Sequence, residues 1–376
     1  MKLSQAETPR LLLDPQKLQR NVDMMAARAR DLGVTLRPHL KTPKSLKVAE
    51  CAVPDKSAPI TVSTLREADY FAQGGYTDIL CAAATTPNKL AHADKIQRET
   101  GARVLLVSDS VDLIKAADKR ADELKTNFEF LIEVDCGEHR SGVQPASQYL
   151  LDVAEALKDA SNLSLAGVMT HAGHSYATDK PDEIAAIAES ERAAAAASAE
   201  ALREAGHDCT IVSVGSTPTV MHAKHLEGVT EARAGVYLFW DLAQVSHGIC
   251  ELDDIAVTVL ASVIGHNRAG SALVLDAGAL ALSKDISANT FLPDAKYGYV
   301  CDVKTGEHFP GLSVQNAYQE HGMVPVPDGS WFERLPIGSQ VRVMPNHTCM
   351  TCAAYETYDV VRDGEIVETW PRVNGW

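Results

Sequence analysis

Between residues 35 and 240 the chain repeats one pattern eight times: a short, continuous apolar run followed by a longer stretch of helical character. The runs are Thr35–Lys41, Ile60–Thr64, Asp78–Ala83, Arg103–Asp109, Phe128–Asp135, Leu165–His171, Cys209–Gly215 and Ala234–Trp240. Their apolar residues are consecutive rather than alternating, which is what strands covered on both faces require, and so points to a parallel sheet. The clearest intervening helix is Pro181 to Glu204, dense in alanine and glutamate and stopped by Gly206. Eight strand–helix units predict a closed (β/α)8 barrel of the TIM type. An open doubly wound sheet is the alternative, but no run is followed by the G-x-G-x-x-G turn of a dinucleotide-binding sheet.

Two segments stand outside this count. Arg10-Leu-Leu-Leu-Asp14 is an apolar run that precedes Pro15 and an amphipathic helix ending near Arg30. After Asp241 the helical rhythm stops. Ile255–Ile264, Ala272–Asp276, Tyr297–Val303, Gln340–Met344 and Tyr358–Arg362 read as strands joined by polar turns, and Asp363-Gly364 marks a hairpin. The expected organisation is a barrel over 15–245 and a C-terminal all-β domain over 246–376.

Composition narrows the function. A formal charge of −15 with no basic tract to offset it argues against nucleic acid or a membrane surface as partner. No apolar run approaches the roughly 18 residues that span a bilayer. MKLSQAETPR holds no apolar segment of signal-peptide length, and the eight cysteines form no compact framework. These features predict a cytoplasmic protein with reduced thiols that acts on a small molecule, including a small anion held in a local basic pocket.

Candidate site residues cluster where such strands end. Leu36-Arg-Pro-His-Leu-Lys-Thr42 places Lys41 at the end of the first strand, where barrels carry their chemistry. Arg37, His39, Lys41 and Lys44 crowd positive charge, which would lower a lysine pKa towards the range of a Schiff-base nucleophile; the alternative is a surface lysine. Ser213-Val-Gly-Ser-Thr217 ends strand seven, and Arg233-Ala-Gly-Val-Tyr237 is expected to open strand eight. Loops there often bind phosphate, with Gly215 allowing close approach and Ser216 and Thr217 offering hydroxyls; a plain turn is the alternative. Asp135-Cys-Gly-Glu-His-Arg-Ser-Gly142 presents Arg140 between glycines, and His171-Ala-Gly-His-Ser-Tyr176 brings two histidines and Tyr176 to the same rim. In the β domain, Pro345-Asn-His-Thr-Cys349 read as a strand puts His347 and Cys349 on one face. Imidazole and thiolate suit zinc, and two ligands would leave positions open for water and substrate. Cys352 falls out of phase with Cys349. The alternative there is a half-buried histidine and an inert cysteine.

These motifs, in this order, resemble the type III fold pyridoxal-phosphate enzymes, the alanine racemase-like barrels, and among them the D-serine dehydratase and D-threonine aldolase branch. The matching segments are Pro38-His-Leu-Lys-Thr42, Asp135-x-Gly-x-x-Arg140-x-Gly142, His171-x-Gly-His-Ser-Tyr176, Gly215-Ser-Thr-Pro218, Ala234-Gly-Val-Tyr237 and Pro345-Asn-His-x-Cys349. The resemblance implies that Lys41 carries pyridoxal 5'-phosphate, with Arg140 beside its phenolic oxygen. Gly215, Ser216, Thr217, Gly235, Val236 and Tyr237 would hold the phosphate, and Tyr176 counts among the cofactor-binding residues. It also implies a homodimer and a first strand, within residues 1–14, that joins the β domain. Met169 stands where relatives carry a tyrosine. The implied reaction is metal-assisted β-elimination of a D-3-hydroxy amino acid such as D-serine to a 2-keto acid and ammonia. Lys41 would be the base at Cα, and zinc on His347 and Cys349 would polarise the hydroxyl. A D-threonine or 3-hydroxy-D-aspartate aldolase, with Mn2+ or Mg2+ on a His-x-Asp pair, is the alternative. His-x-Cys is the softer pair and favours the dehydratase. A non-catalytic pyridoxal-phosphate carrier shares the barrel but not the β domain.

Overall fold

The computed structural model describes residues 1–376. Two compact units account for the chain: Met1–Asp23 with Val236–Asn374, and Met24–Gly235 with Gly375–Trp376. In chain order the strands of both are β1 (Arg10–Leu13), β2 (Thr35–Leu36), β3 (Ile60–Val62), β4 (Asp78–Ala84), β5 (Arg103–Ser108), β6 (Phe128–Val134), β7 (Leu163–Thr170), β8 (Ile211–Val214) and β9 (Glu231–Ala232). They continue with β10 (Val257–Asn267), β11 (Ala272–Leu275), β12 (Gly298–Asp302), β13 (His308–Ser313), β14 (Asn316–Ala317), β15 (Gly322–Pro325), β16 (Gln340–Pro345), β17 (Thr357–Arg362) and β18 (Glu365–Pro371).

The second unit is the barrel. Its eight strands pair in parallel in the order β2-β9-β8-β7-β6-β5-β4-β3. A bridge between His39 and Thr61 joins the two ends. There the Leu40 N–H donates to Thr61 O at 2.8 Å and the Thr61 N–H to Pro38 O at 2.9 Å. Leu80, Leu105, Val107, Leu131, Ala166 and Met169 pack as one buried cluster. The helix Pro181–Glu204 forms with the expected bounds, and Gly206 follows it at φ +83°.

Two strands depart from the apolar pattern, for one reason. β2 is only Thr35–Leu36, with Thr35 exposed, and β9 is Glu231–Ala232 rather than Ala234–Trp240. Here the barrel interior is built from charge. Buried Arg37 donates Nε to Glu231 at 2.8 Å and a terminal nitrogen to Asp78 Oδ1 at 2.7 Å. Ser213 Oγ donates to Glu231 Oε1 at 2.7 Å, and buried Arg233 donates to Ser213 Oγ at 2.6 Å. Polar residues thus occupy the true strand, while the apolar residues after it are buried without being extended. Val236–Leu238 is a single 3-10 turn, and Trp240 sits at φ +52°. Because a buried charge left without its partner is costly, Glu231→Ala is expected to destabilise the barrel by about 3–5 kcal/mol. Urea unfolding measures this; a change below about 1 kcal/mol, the scale of an exposed ion pair, would show that Arg37 has other means of compensation.

In the first unit, ten strands form one sheet whose main path is β13-β12-β16-β10-β1-β17-β18, with β11, β15 and β14 continuing from β10. β1 lies between β10, antiparallel with Leu11 opposite Val259, and β17, parallel with Leu12 opposite Asp359. β17 and β18 form the hairpin expected at Asp363-Gly364, both residues having positive φ, +50° and +76°. Three short helices, Ala279–Leu282, Trp331–Arg334 and Thr348–Cys352, interrupt a region expected to be all strand and turn.

Candidate active site

In the barrel unit, Lys41 lies in the turn after β2, exposed, with no carboxylate within 4 Å. The crowd of cations expected around it is dispersed. Arg37 is committed to Asp78 and Glu231 inside the barrel, and Lys44 pairs with buried Glu67 at 3.2 Å. Two imidazoles, His39 and His171, feel the charge of Lys41. Burial first, then the charges of Lys41 and Arg233, hold His39 well below its ordinary pKa. His171 is pushed down to about 3, chiefly by burial, against the bond between its Nδ1 and Gly215 O at 2.7 Å. Both rings are neutral at physiological pH, and His39 Nδ1 is buried without a hydrogen-bond partner.

The Gly215 turn is shaped for close approach. Gly215 has φ +140°, and a Cβ there would lie 2.0 Å from Arg233 O. At Gly235 a Cβ would lie 2.7 Å from His39 O, so residues 39–41, 215–217 and 233–235 converge. The N–H groups of this turn are only partly open. Gly215 N–H donates to Glu191 Oε1 at 3.0 Å, and Ser216 N–H to Thr219 Oγ1 at 3.1 Å. Ser216 caps the helix Thr217–His222, and the N–H of Thr217, the first of that helix, has no partner within it. Ser175 Oγ, 3.0 Å from Ser216 Oγ, ties the His171–Tyr176 loop to the same place; Tyr176 is exposed on the 3-10 turn Gly173–Ala177. Because β9 ends at Ala232, Arg233–Tyr237 leaves strand eight rather than opening it, and its first residues, Arg233–Gly235, lie at the same end of the barrel as Lys41. Val236 and Tyr237 follow Gly235 directly but belong to the other unit. There the Tyr237 hydroxyl is buried, has no partner, and is held protonated by that burial.

Arg140 is exposed on a loop organised by Asp135, whose carboxylate accepts the N–H groups of Gly137 at 2.9 Å and His139 at 3.0 Å. Arg140 itself pairs with Glu138 at 3.3 Å. Two residues here escape a reading by motif. Arg233 lies inside the Arg233–Tyr237 segment, and Glu191 on the long helix. Glu191 accepts from Ala172 N–H as well as Gly215 N–H, and burial raises its pKa. The available signal was periodicity: Glu191 occupies the buried stripe of Ala188, Ala194 and Ala195, where a carboxylate needs an internal partner.

In the β unit, the side chains of His347 and Cys349 are in contact, but at a corner rather than along the expected strand. β16 ends at Pro345, His347 is the extended cap residue (φ −136°), and Cys349 lies in the first turn of the helix Thr348–Cys352. The two side chains meet across this corner rather than along a pleat. Asp241 accepts the Thr348 N–H at 2.9 Å, and Asn346 Nδ2 donates to Lys296 O at 2.6 Å. His347 Nδ1 lies 2.9 Å from Asp285 Oδ2. Burial alone would lower the His347 pKa, but Asp285 and Cys349 raise it to about 11. No three His, Cys, Asp or Glu side chains surround one point, so a metal here would rest on two protein donors. Cys352 is fully buried, its thiol pushed up to about 12 by burial, beside Tyr358 and Arg372.

Residues 13–243 match the model of the alanine racemase N-terminal domain, and residues 256–361 that of a putative serine dehydratase domain. The D-threo-3-hydroxyaspartate dehydratase of Delftia sp. (strain HT23) is 42% identical over 98% of each chain. Its solved structure covers 100% of both chains at a TM-score of 0.95 and 41% identity. Two further structures, each 41% identical, are variants of a D-threo-3-hydroxyaspartate dehydratase, with a histidine and, two positions later, a cysteine replaced by alanine; the second is described as the metal-free form. The D-serine dehydratase of Dictyostelium discoideum is 31% identical over 100% of this chain and 98% of its own. A 3-hydroxy-D-aspartate aldolase of Paracoccus denitrificans is 28% identical over 98% of this chain and 92% of its own. With both domain models matched in order and relatives aligned end to end, the chain belongs to the D-serine dehydratase-type branch of the alanine racemase-like, pyridoxal-phosphate-dependent enzymes.

Proposed function

We propose that this protein is a pyridoxal-phosphate- and zinc-dependent lyase. It eliminates water from a D-3-hydroxy amino acid, D-threo-3-hydroxyaspartate or D-serine, and the enamine released then takes up water to give ammonia and a 2-keto acid. The residues present fit the cofactor: a lysine without a carboxylate partner, a glycine turn that a Cβ would fill, and an orphaned tyrosine hydroxyl just after Gly235. Lys41 would carry it, with Gly215, Ser216, Thr217, Gly235, Val236 and Tyr237 at its phosphate and Arg140 and Tyr176 beside it. When bound, pyridoxal phosphate supplies an electron sink that acidifies the Cα proton. Lys41 takes that proton. His347 and Cys349, an imidazole and a thiol in contact, fit a zinc ion, whose Lewis acidity suits a departing β-hydroxyl.

The observation that favours elimination over aldol cleavage is the contact of His347 with Cys349, since imidazole and thiol make the softer pair that suits zinc. Cleavage of Cα–Cβ needs a base on the β-hydroxyl; burial holds His171 below its ordinary pKa, which leaves His174 as the candidate base for the aldolase reading. The two D-threo-3-hydroxyaspartate dehydratase variants, paired at the spacing of His347 and Cys349, support the metal assignment. A homodimer in the cytoplasm completes the proposal; no helix is long and apolar enough to cross a membrane.

The test is product analysis. D-serine, D-threonine and D-threo- and D-erythro-3-hydroxyaspartate are expected to yield ammonia and the matching 2-keto acids, while glycine plus an aldehyde as main products would place the protein with the aldolases. Equal turnover of L-isomers would remove the D-stereochemistry from the proposal.

A further inference from the structure

We propose that Asp285 is the positioning residue of the metal pair: its carboxylate fixes the His347 ring so that Nε2 alone is open to a metal ion. This rests on the reading above that His347 and Cys349 bind one. Imidazole offers two nitrogens, and the bond made by one decides which is left as the ligand. In His347 the bonded nitrogen is Nδ1, 2.9 Å from Asp285 Oδ2. When the ring gives up one proton to a metal ion, the carboxylate therefore keeps the remaining one on Nδ1, and the lone pair is left on Nε2.

Asp285 is itself held. Its Oδ1 accepts the Ser287 N–H at 2.8 Å and the Ser287 hydroxyl, and its own N–H donates to Ser283 Oγ at 3.2 Å. Both carboxylate oxygens are thus engaged by the protein, as suits a group that orients a ligand rather than serving as one. The adjacent cation does not compete. Lys284 Nζ donates to Ala317 O and lies over the Tyr297 ring, 5.2 Å from its centroid. His347 is the only cation-forming side chain within 4 Å of the Asp285 carboxylate.

The segment carrying Asp285 is fastened to the corner carrying His347 on both sides. Thr351 Oγ1 donates to Leu282 O at 2.8 Å, before Asp285 in sequence. Ala288 N–H donates to Asn346 Oδ1 at 2.9 Å, and Asn346 Nδ2 to Asn289 Oδ1 at 2.9 Å, after it. Asp241 meanwhile holds the backbone at Thr348. Backbone and ring are therefore fixed by different carboxylates; the ring's other side-chain hydrogen bond is with Cys349, the second proposed ligand, and the Asp285 contact takes Nδ1.

The experiment measures zinc affinity of the cofactor-loaded protein, stripped of metal, by competition with a chromophoric chelator. Asp285→Ala is expected to weaken zinc binding by about 10–100-fold, with cofactor absorbance and thermal midpoint unchanged. Asp285→Asn keeps an acceptor without the charge and should fall between. In the cobalt-substituted protein the thiolate charge-transfer band should persist in both variants, showing that Cys349 still binds. Should Asp285→Ala fail to fold, Asp285→Asn and Ser287→Ala, which loosens the carboxylate, decide by a smaller loss in the same direction. Affinities equal to wild type overturn the proposal. So does X-ray absorption showing an oxygen lost from the metal's inner shell in Asp285→Ala, which would make Asp285 a ligand. If wild-type protein binds no zinc, or His347→Ala and Cys349→Ala bind it as tightly as wild type, the metal reading falls first and takes this inference with it.

Discussion

Lys41→Ala is expected to purify without the yellow colour of the wild type and to lose activity by on the order of 10^4-fold or more, the upper range for removing a positioned general base. The size follows from two roles in one side chain: Lys41 is proposed both to hold the cofactor and to take the Cα proton. Borohydride should fix the cofactor covalently to the wild-type peptide that contains Lys41, and to no peptide in the variant. Lys44→Ala is the control, since Lys44 is engaged by Glu67 at 3.2 Å; it should keep colour and most activity. An adduct on Lys44 or Lys284, or a fully active Lys41→Ala, would refute the assignment. Partial rescue of the variant by small primary amines would add that it is the amine, rather than the bulk of the side chain, that matters.

Removing the metal should cost nearly as much while leaving the colour. Lewis-acid assistance to a leaving hydroxide is worth several kcal/mol, hence on the order of 10^3-fold in rate. Chelation, His347→Ala and Cys349→Ala are each expected to show that loss with cofactor absorbance retained, because His347 and Cys349 lie in the β unit and Lys41 in the barrel unit. Zinc should restore the chelated wild type and not the variants. Full turnover in protein shown by elemental analysis to be metal-free would return the pair to a buried histidine and an inert cysteine.

The barrel was legible because six of its eight strands bury apolar residues on both faces, so hydrophobicity alone traced them. The other two carry their structure in charge. Arg37, just past β2, and Glu231, on β9, neutralise one another inside the barrel, so an apolar window runs beyond the end of β2 and misses β9, settling three residues later on Ala234–Trp240. The same network explains why a stretch read as a positive cluster around Lys41 is not one. Residue type marks His347 and Cys349, but strand alternation does not describe them, because the chain turns into a helix at Thr348. Asp285 was out of reach altogether: it is 62 residues before His347, and nothing local marks it.

The position of β1 bears on how the protein is made. Leu11, Leu12 and Leu13 are buried in the centre of a sheet, yet their antiparallel partners begin at Val257 and their parallel partners at Asp359. On a ribosome adding 5–20 residues per second, roughly 240 residues and therefore roughly 12–50 s separate this strand from its first neighbour. The whole barrel can emerge and close in that interval, while three consecutive leucines wait with both backbone edges unpaired. Such a segment is a hazard for aggregation until its partners arrive. Yield on overexpression should therefore respond to chaperone supply and slower growth more than to changes in the barrel. A chain cut between β16 and β17 would leave β1 with one neighbour in place of two.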